Sequence, residues 1–116
     1  MSADHVFDIL GSEDQDPISV VARLKMLSAA EGGRSQPFYK NYRPNHNFGD
    51  ASNRGMYIGQ VELQERNQLG PGEECEAIVR FINGVGLREQ LVPGRIWRIQ
   101  EGMKLVGTAE MLRFAV

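Results

Sequence analysis

The sequence predicts an all-β protein, folded as a barrel or a sandwich of five or six strands, and three observations support this prediction. Apolar and polar residues alternate with period two in several segments, which is typical of strands with one buried face. Clusters of glycine, proline and asparagine separate these segments at short intervals and predict turns. No segment has a convincing long helical pattern. Closing the sheet into a barrel would also remove the exposed edges through which sheets aggregate.

The first half of the chain contains three predicted strands. Ile18–Leu27 is the first, because its apolar side chains fall on one face and its basic side chains on the other. Tyr42–Phe48 is predicted as a short strand and Met56–Leu63 as a longer one. Gly59 lies inside the longer run and indicates either a bulge or a close backbone approach.

The second half of the chain contains three more. Glu74–Phe81 alternates cleanly, and within it Cys75 is expected to pack as a small hydrophobe. A proline–glycine turn precedes the next strand, in which Trp97 and Ile99 face one way and are predicted to be core residues. Leu105–Phe114 is the last predicted strand.

Length and charge divide the chain into a domain and an arm. A chain of 116 residues has room for one domain. Residues 1–18 hold five acidic and no basic side chains, and they are predicted to form an acidic N-terminal arm in which Val6–Leu10 offers an apolar side. Residues 19–116 are predicted to form the barrel. This part has 13 basic and 10 acidic side chains, a small excess that permits anion binding without requiring it.

Several classes of function are not expected. No apolar run approaches 20 residues and no basic start precedes an apolar block, so neither a membrane span nor a secretory signal is expected. The lone Cys75 favours a reducing, cytoplasmic setting. A catalytic triad could be proposed from His46, Asp50 and a serine, but no nucleophile motif in the sequence supports it. His46 is instead expected in a surface loop. No residue cluster has metal-ligand spacing, so no catalytic residue, metal or cofactor is predicted.

The segment Glu31–Pro44 is the most chemically loaded part of the chain. Its glycines and prolines predict an irregular, constrained loop, the kind of segment in which binding residues concentrate. Cations and aromatic rings alternate there and just beyond it, a composition typical of nucleic-acid or phosphate contacts. In the alternative interpretation, the rings of Phe38 and Tyr42 plug the barrel end and the cations remain solvated. The residues concerned are Arg34, Phe38, Tyr39, Lys40, Tyr42, Arg43 and Arg54.

A set of residues along the chain also carries a family resemblance. The set comprises Leu27-Ser28, Glu31-Gly32-Gly33-Arg34, Pro37-Phe38, Tyr42-Arg43-Pro44, Gly59, Val61-Glu62-Leu63, Pro71-Gly72-Glu73, Gly94, Ile99, Glu101-Gly102 and Val106-Gly107. In order and spacing these residues resemble the third domain of translation elongation factor Tu, over roughly residues 20–112. The resemblance implies a closed six-stranded antiparallel barrel of translation-factor type with Greek-key-like connectivity.

The resemblance also implies binding residues. In the family, this domain holds the T-stem backbone of aminoacyl-tRNA and packs against the GTPase domain and the exchange factor. The matching positions here are Gly33 and Arg34 in the loop and Glu101 and Gly102 in a later turn, while Lys104 keeps a positive charge where the family has arginine. Three positions depart from the family pattern, since Gln36, Gln100 and Met103 replace a threonine, an arginine and a glycine. No lysine precedes a serine or threonine, so the phosphate-binding loop of a GTPase is absent from this sequence.

The sequence therefore predicts a non-catalytic binding module that uses no nucleotide. Two partners fit. One is a tRNA-like RNA backbone held by charge and shape. The other is a translation-related protein, with Val6–Leu10 either fastening the complex or covering the surface within the same chain. The predicted binding residues are Gly33, Arg34, Lys40, Arg43, Glu101, Gly102 and Lys104.

Overall fold

The structure is a computed structural model, and it describes residues 16–115. The apolar segment Val6–Leu10 and the rest of the predicted arm up to residue 15 lie outside the described residues. The strand that opens the barrel begins at Ile18, where the period-two pattern of the sequence also begins.

The described residues contain six strands and one short helix. They are β1 (Ile18–Met26), β2 (Asn45–Asn47), β3 (Tyr57–Leu63), β4 (Glu74–Phe81), α1 (Leu87–Gln90), β5 (Ile96–Glu101) and β6 (Lys104–Phe114). All strand pairs among them are antiparallel, and the sheet closes in the order β1-β4-β3-β2-β5-β6. The predicted closed six-stranded antiparallel barrel is confirmed, and the sandwich alternative is wrong.

The connectivity is that of a Greek key. Strands β2, β3 and β4 are neighbours in sequence and in space, and β1 lies beside β4. The long connection that this topology requires is the segment 27–44 between β1 and β2. The chemically loaded loop therefore spans one end of the barrel.

Alternation along the strands produces the core. The inward residues of β1 are all buried, and they face inward residues of β4 in register, as in the pairs Val20–Val79 and Ala22–Ala77. Trp97 is also buried, as predicted. Each large apolar side chain removed from water in this way contributes about 1.5–3 kcal/mol. Cys75 is half-buried and packs against this core, as expected for a small hydrophobe.

The structure corrects the interpretation of the short second strand. It covers only Asn45–Asn47, while Tyr42 makes an isolated bridge to Val61. His46 was expected in a surface loop, but it lies in β2 with its side chain fully buried. A three-residue strand is too short to show a period in the sequence, so the direction of its middle side chain depends on its neighbours.

The glycine in β3 marks a close approach rather than a bulge. The ladder between β3 and β4 runs through Gly59 without a register shift. A Cβ atom at this position would lie 3.0 Å from His46 Nε2 and 3.1 Å from Phe81 Cδ1. Two rings thus occupy the space that a side chain at this position would need.

Candidate functional site

One end of the barrel is built from the loop after β1 and the hairpin between β5 and β6. Gly33 is buried, and a Cβ atom there would lie 2.6 Å from the carbonyl oxygen of Leu27. Just before it, Ser28 and Glu31 exchange hydrogen bonds, since the Ser28 amide donates to Glu31 Oε1 at 2.9 Å and the Glu31 amide donates to Ser28 Oγ at 3.2 Å. These contacts hold the backbone on both sides of the turn, so Arg34 leaves it in a defined direction.

Arg34 and Glu101 meet across this end of the barrel. Arg34 Nη1 forms an ion pair with Glu101 Oε2, and the Tyr42 hydroxyl donates to the same oxygen at 2.6 Å. Arg34 Nε donates to the carbonyl oxygen of Gln36 at 3.1 Å. The guanidinium carbon lies 5.2 Å from the centroid of the Tyr42 ring, and that ring stacks on Phe38 at 4.2 Å. We call Arg34, Tyr42 and Glu101 the clip.

The charges of the clip support one another. Burial raises the pKa of Tyr42, and its bond to Glu101 raises this pKa further, so the phenol stays protonated. Burial alone would raise the pKa of Glu101, but the hydrogen bonds from Tyr42 and Arg34 outweigh it and hold this pKa below its ordinary value. Burial opposes the charge of Arg34, yet the bond to Glu101 raises its pKa. At neutral pH the clip is therefore a cation, an anion and a neutral phenol, all hydrogen-bonded to the chain itself.

The hairpin turn next to the clip contains two more of the predicted residues. Gly102 has a φ of +61°, a conformation that glycine adopts without strain. Lys104 pairs in register with Glu101 and has an exposed side chain. Five of the seven predicted residues thus share one end of the barrel, but Arg34 and Glu101 neutralise each other there.

The two remaining predicted residues lie within two positions of Tyr42 in the chain, but neither forms a hydrogen bond or ion pair with the clip. Lys40 is exposed in the turn between Phe38 and Tyr42, and its side chain makes no hydrogen bond or ion pair with the described residues. Arg43 lies over the outer face of β3, where its Nε donates to Gln60 Oε1 at 3.0 Å. Neither Lys40 nor Arg43 therefore takes part in the ion pair and hydrogen bonds that join Arg34, Tyr42 and Glu101.

The outer face of β3 and β4 carries a groove that the sequence analysis did not identify. This groove, called here the β3–β4 groove, has a volume of about 280 Å³. Its lining residues are Pro17, Arg43, Ile58, Gly59, Gln60, Glu62, Arg80, Phe81 and Ile82.

Two adjacent isoleucines are the main apolar feature of this groove. Ile58 is 48% exposed and Ile82 is 61% exposed. The Ile82 amide donates to the Ile58 carbonyl oxygen at 2.9 Å, so the two residues are direct cross-strand neighbours. The sequence could have indicated that Ile58 is exposed, because Ile58 falls on the same face of its strand as the polar Gln60 and Glu62. Its pairing with Ile82 depends on strand register, which the sequence alone did not supply.

Two arginines flank the isoleucines. Arg80 pairs in register with Gln60, and Gln60 in turn accepts a hydrogen bond from Arg43. Both arginine side chains are exposed. Among the described residues, Glu62 is the one acidic residue that lines the groove. The surface is thus an apolar pair beside two cations, with a single anion further along β3.

A larger groove of about 740 Å³ is lined by Val21 of β1 and by Cys75, Glu76, Ala77 and Ile78 of β4. The charged residues of its lining alternate in sign, since Glu65 and Glu76 accompany Arg66 and Arg113. None of the large exposed apolar side chains among the described residues lines it. It is therefore a weaker candidate for a docking surface.

His46 has no catalytic geometry. Trp97 Nε1 donates to His46 Nδ1 at 2.9 Å, so the imidazole proton must reside on Nε2, which donates to the Gly59 carbonyl oxygen at 3.0 Å. Burial lowers the pKa of His46 to about 4, although the bond to Gly59 opposes this shift. Both ring nitrogens are occupied and the ring is fully buried, so it has no access to a substrate.

Gln100, which stands where the resembling family has arginine, also has an internal role. Its side chain is fully buried, and its Oε1 accepts hydrogen bonds from Asn47 Nδ2 at 2.7 Å and from Arg98 Nε at 3.0 Å. This residue links β2 to β5 and presents no group to solvent.

No protein-family model matches the chain. Within residues 16–115, no group of three or more histidine, cysteine or acidic side chains could hold a metal ion. The only helix there is the four-residue α1, too short to cross a membrane.

Proposed function

We propose that this chain is a non-catalytic, cytoplasmic binding module that resembles the third domain of elongation factor Tu and docks on a protein through the β3–β4 groove. The observation that carries the proposal is the pair of exposed, hydrogen-bonded neighbours Ile58 and Ile82. Contiguous exposed apolar surface with a polar rim is characteristic of protein interaction sites.

The chemistry around this pair supports a protein partner. Isolated exposed apolar residues need no explanation, but here two lie side by side in a concave surface. Arginine is enriched in protein interfaces, and Arg43 and Arg80 provide charged hydrogen-bond donors at the rim. A partner that offers an apolar side chain and a carboxylate would satisfy both parts of the groove.

The clip gives less support to RNA. Arg34 is the cation that the family resemblance assigns to the RNA backbone, yet its Nε and Nη1 both donate within the chain. A phosphate would have to compete with Glu101 for the guanidinium. RNA binding through the seven predicted residues stays a prediction, as does the translation-related identity of a protein partner.

The test is capture of partners from lysate by the tagged chain, with and without ribonuclease. Ile82→Asp places a charge in the groove, and Ile96→Asp is its matched control, because Ile96 is 60% exposed on β5, away from β3 and β4. We expect a protein that resists ribonuclease, is lost with Ile82→Asp and is retained with Ile96→Asp. Trp97 fluorescence verifies that both variants are folded.

Two results would contradict the proposal. Partners that disappear with ribonuclease would support RNA instead. Equal capture by both variants would show that the groove does not take part. Substituting Arg34 would then be the next step, since a phosphate contact predicts weaker binding to all RNA sequences and a strong dependence on salt.

A further inference from the structure

We infer that the acidic, apolar segment 4–10 of this same chain occupies the β3–β4 groove and competes there with the protein partner. The inference rests on the proposed function, because it concerns the regulation of the same surface.

The described chain begins at the edge of the groove. Pro17 is one of the lining residues, and β1 starts at the next position. The described chain therefore enters the barrel beside Ile58 and Ile82 rather than at a distant site.

The segment and the groove have complementary chemistry. Residues 4–10 contain two aspartates and no basic residue other than His5, together with the apolar Val6, Phe7, Ile9 and Leu10. The groove contains two isoleucines and two exposed arginines. Apolar side chains would cover the isoleucines while the aspartates lie near Arg43 and Arg80. Glu62 disfavours an acidic segment at its own end of the groove, so the aspartates should lie toward the arginines.

The connection between segment and groove has a suitable length. Six residues, 11–16, separate Leu10 from Pro17. Leu10 is therefore seven positions from Pro17, and the fully extended connection spans at most roughly 25 Å, so Leu10 is within reach of the groove. A short tether gives a local concentration on the order of millimolar, so a weak contact is sufficient for occupancy. A partner from solution must displace this segment.

The test measures proximity in the full chain. A nitroxide is attached at position 2 through Ser2→Cys in a Cys75→Ser background, and amide NMR intensities are recorded. We expect Ile58, Arg80 and Ile82 to lose intensity while Ile96, on the far side of the barrel, keeps it. Phe7→Ser should restore the intensities, and the matched arm variant His5→Ser should not. Unchanged intensities at the groove would overturn the inference.

A mixture of spin-labelled and unlabelled isotope-enriched chains tests a second copy as the occupant. Loss of intensity in the unlabelled chains would show contact between molecules and overturn the intramolecular assignment. The functional consequence is tested with the captured protein. If the segment fills the groove about four-fifths of the time, Phe7→Ser should tighten partner binding about fivefold.

The two proposals fail in different ways. Unchanged intensities together with a partner lost on Ile82→Asp would remove the arm and keep the docking surface. Intensity loss at the groove without any protein partner for the full chain or for Phe7→Ser would remove the docking function and keep the arm contact.

Discussion

Acidification should destabilise this barrel through a single buried histidine. His46 holds Trp97 Nε1 with its unprotonated Nδ1 and donates to the Gly59 carbonyl oxygen with Nε2. Protonation would place a second N–H opposite the indole N–H and a charge in the core. Protonation is therefore unfavourable in the folded state. Burial lowers the pKa of this imidazole to about 4 from an ordinary value of 6.5.

The sign and size of the effect follow from linkage. Because the pKa is lower in the folded state, the unfolded chain binds the extra proton first as the pH falls below 6.5. Stability is unaffected by this group above that pH and is lost progressively down to about pH 4. Between pH 7.5 and pH 5 the loss is about 2 kcal/mol, and at pH 4 and below it approaches about 3 kcal/mol. Carboxylates contribute little to the loss of stability between pH 7.5 and pH 5, because their ordinary pKa values lie below this range. Protonation of Glu101 reduces stability only below about pH 4.5.

Urea unfolding at pH 7.5, 6 and 5 measures this loss, and Trp97, the only tryptophan of the chain, reports it by fluorescence. His46→Gln is the test variant, since an amide can accept from Trp97 and donate to Gly59 without titrating. We expect it to be less stable at pH 7.5 but to lose most of the pH dependence. His5→Gln removes the other histidine and should keep the wild-type dependence.

The reasoning would be refuted if His46→Gln and the wild-type chain lost the same free energy of unfolding between pH 7.5 and pH 5. It would also be refuted if His5→Gln alone removed the dependence. Either result would assign the titration to groups other than the buried imidazole.

Three further predictions concern other contacts. Gly33→Ala should lower the free energy of unfolding in urea by about 1–3 kcal/mol, because the new Cβ atom would lie 2.6 Å from the Leu27 carbonyl oxygen. The backbone around Leu27 would have to move, so its NMR chemical shifts should change. Arg34→Met and Glu101→Gln should each cost about 1 kcal/mol, as expected for a partly exposed ion pair, and the double variant should cost less than their sum; full additivity would mean that the pair is not coupled. Trp97→Phe should cost about 1–3 kcal/mol beyond its lost packing, because His46 Nδ1 would have no donor, and circular dichroism in urea measures it; a cost below 1 kcal/mol would contradict that hydrogen bond.

Part of the candidate site was accessible from the sequence. The loop after β1 and the turn at Glu101 were identified through the family resemblance, and the structure brings Arg34 and Glu101 together. Their mutual neutralisation was not predicted, because residues that appear separately in a motif carry no information about the direction of their side chains. Ile82 and Arg80 were missed as binding candidates for a related reason. Their neighbours are decided by the pairing of β4 with β3, and no property of either strand alone defines that pairing.

The sequence by itself determined which segments form the long strands and which side of each of these strands is buried. Period-two alternation carries that information locally, as β1 and β4 demonstrate. Only the tertiary structure decided that the sheet closes, that His46 points into the barrel and that two isoleucines share a groove. Closure and register depend on contacts between strands distant in the chain, and a three-residue strand such as β2 takes its orientation from the strands on either side.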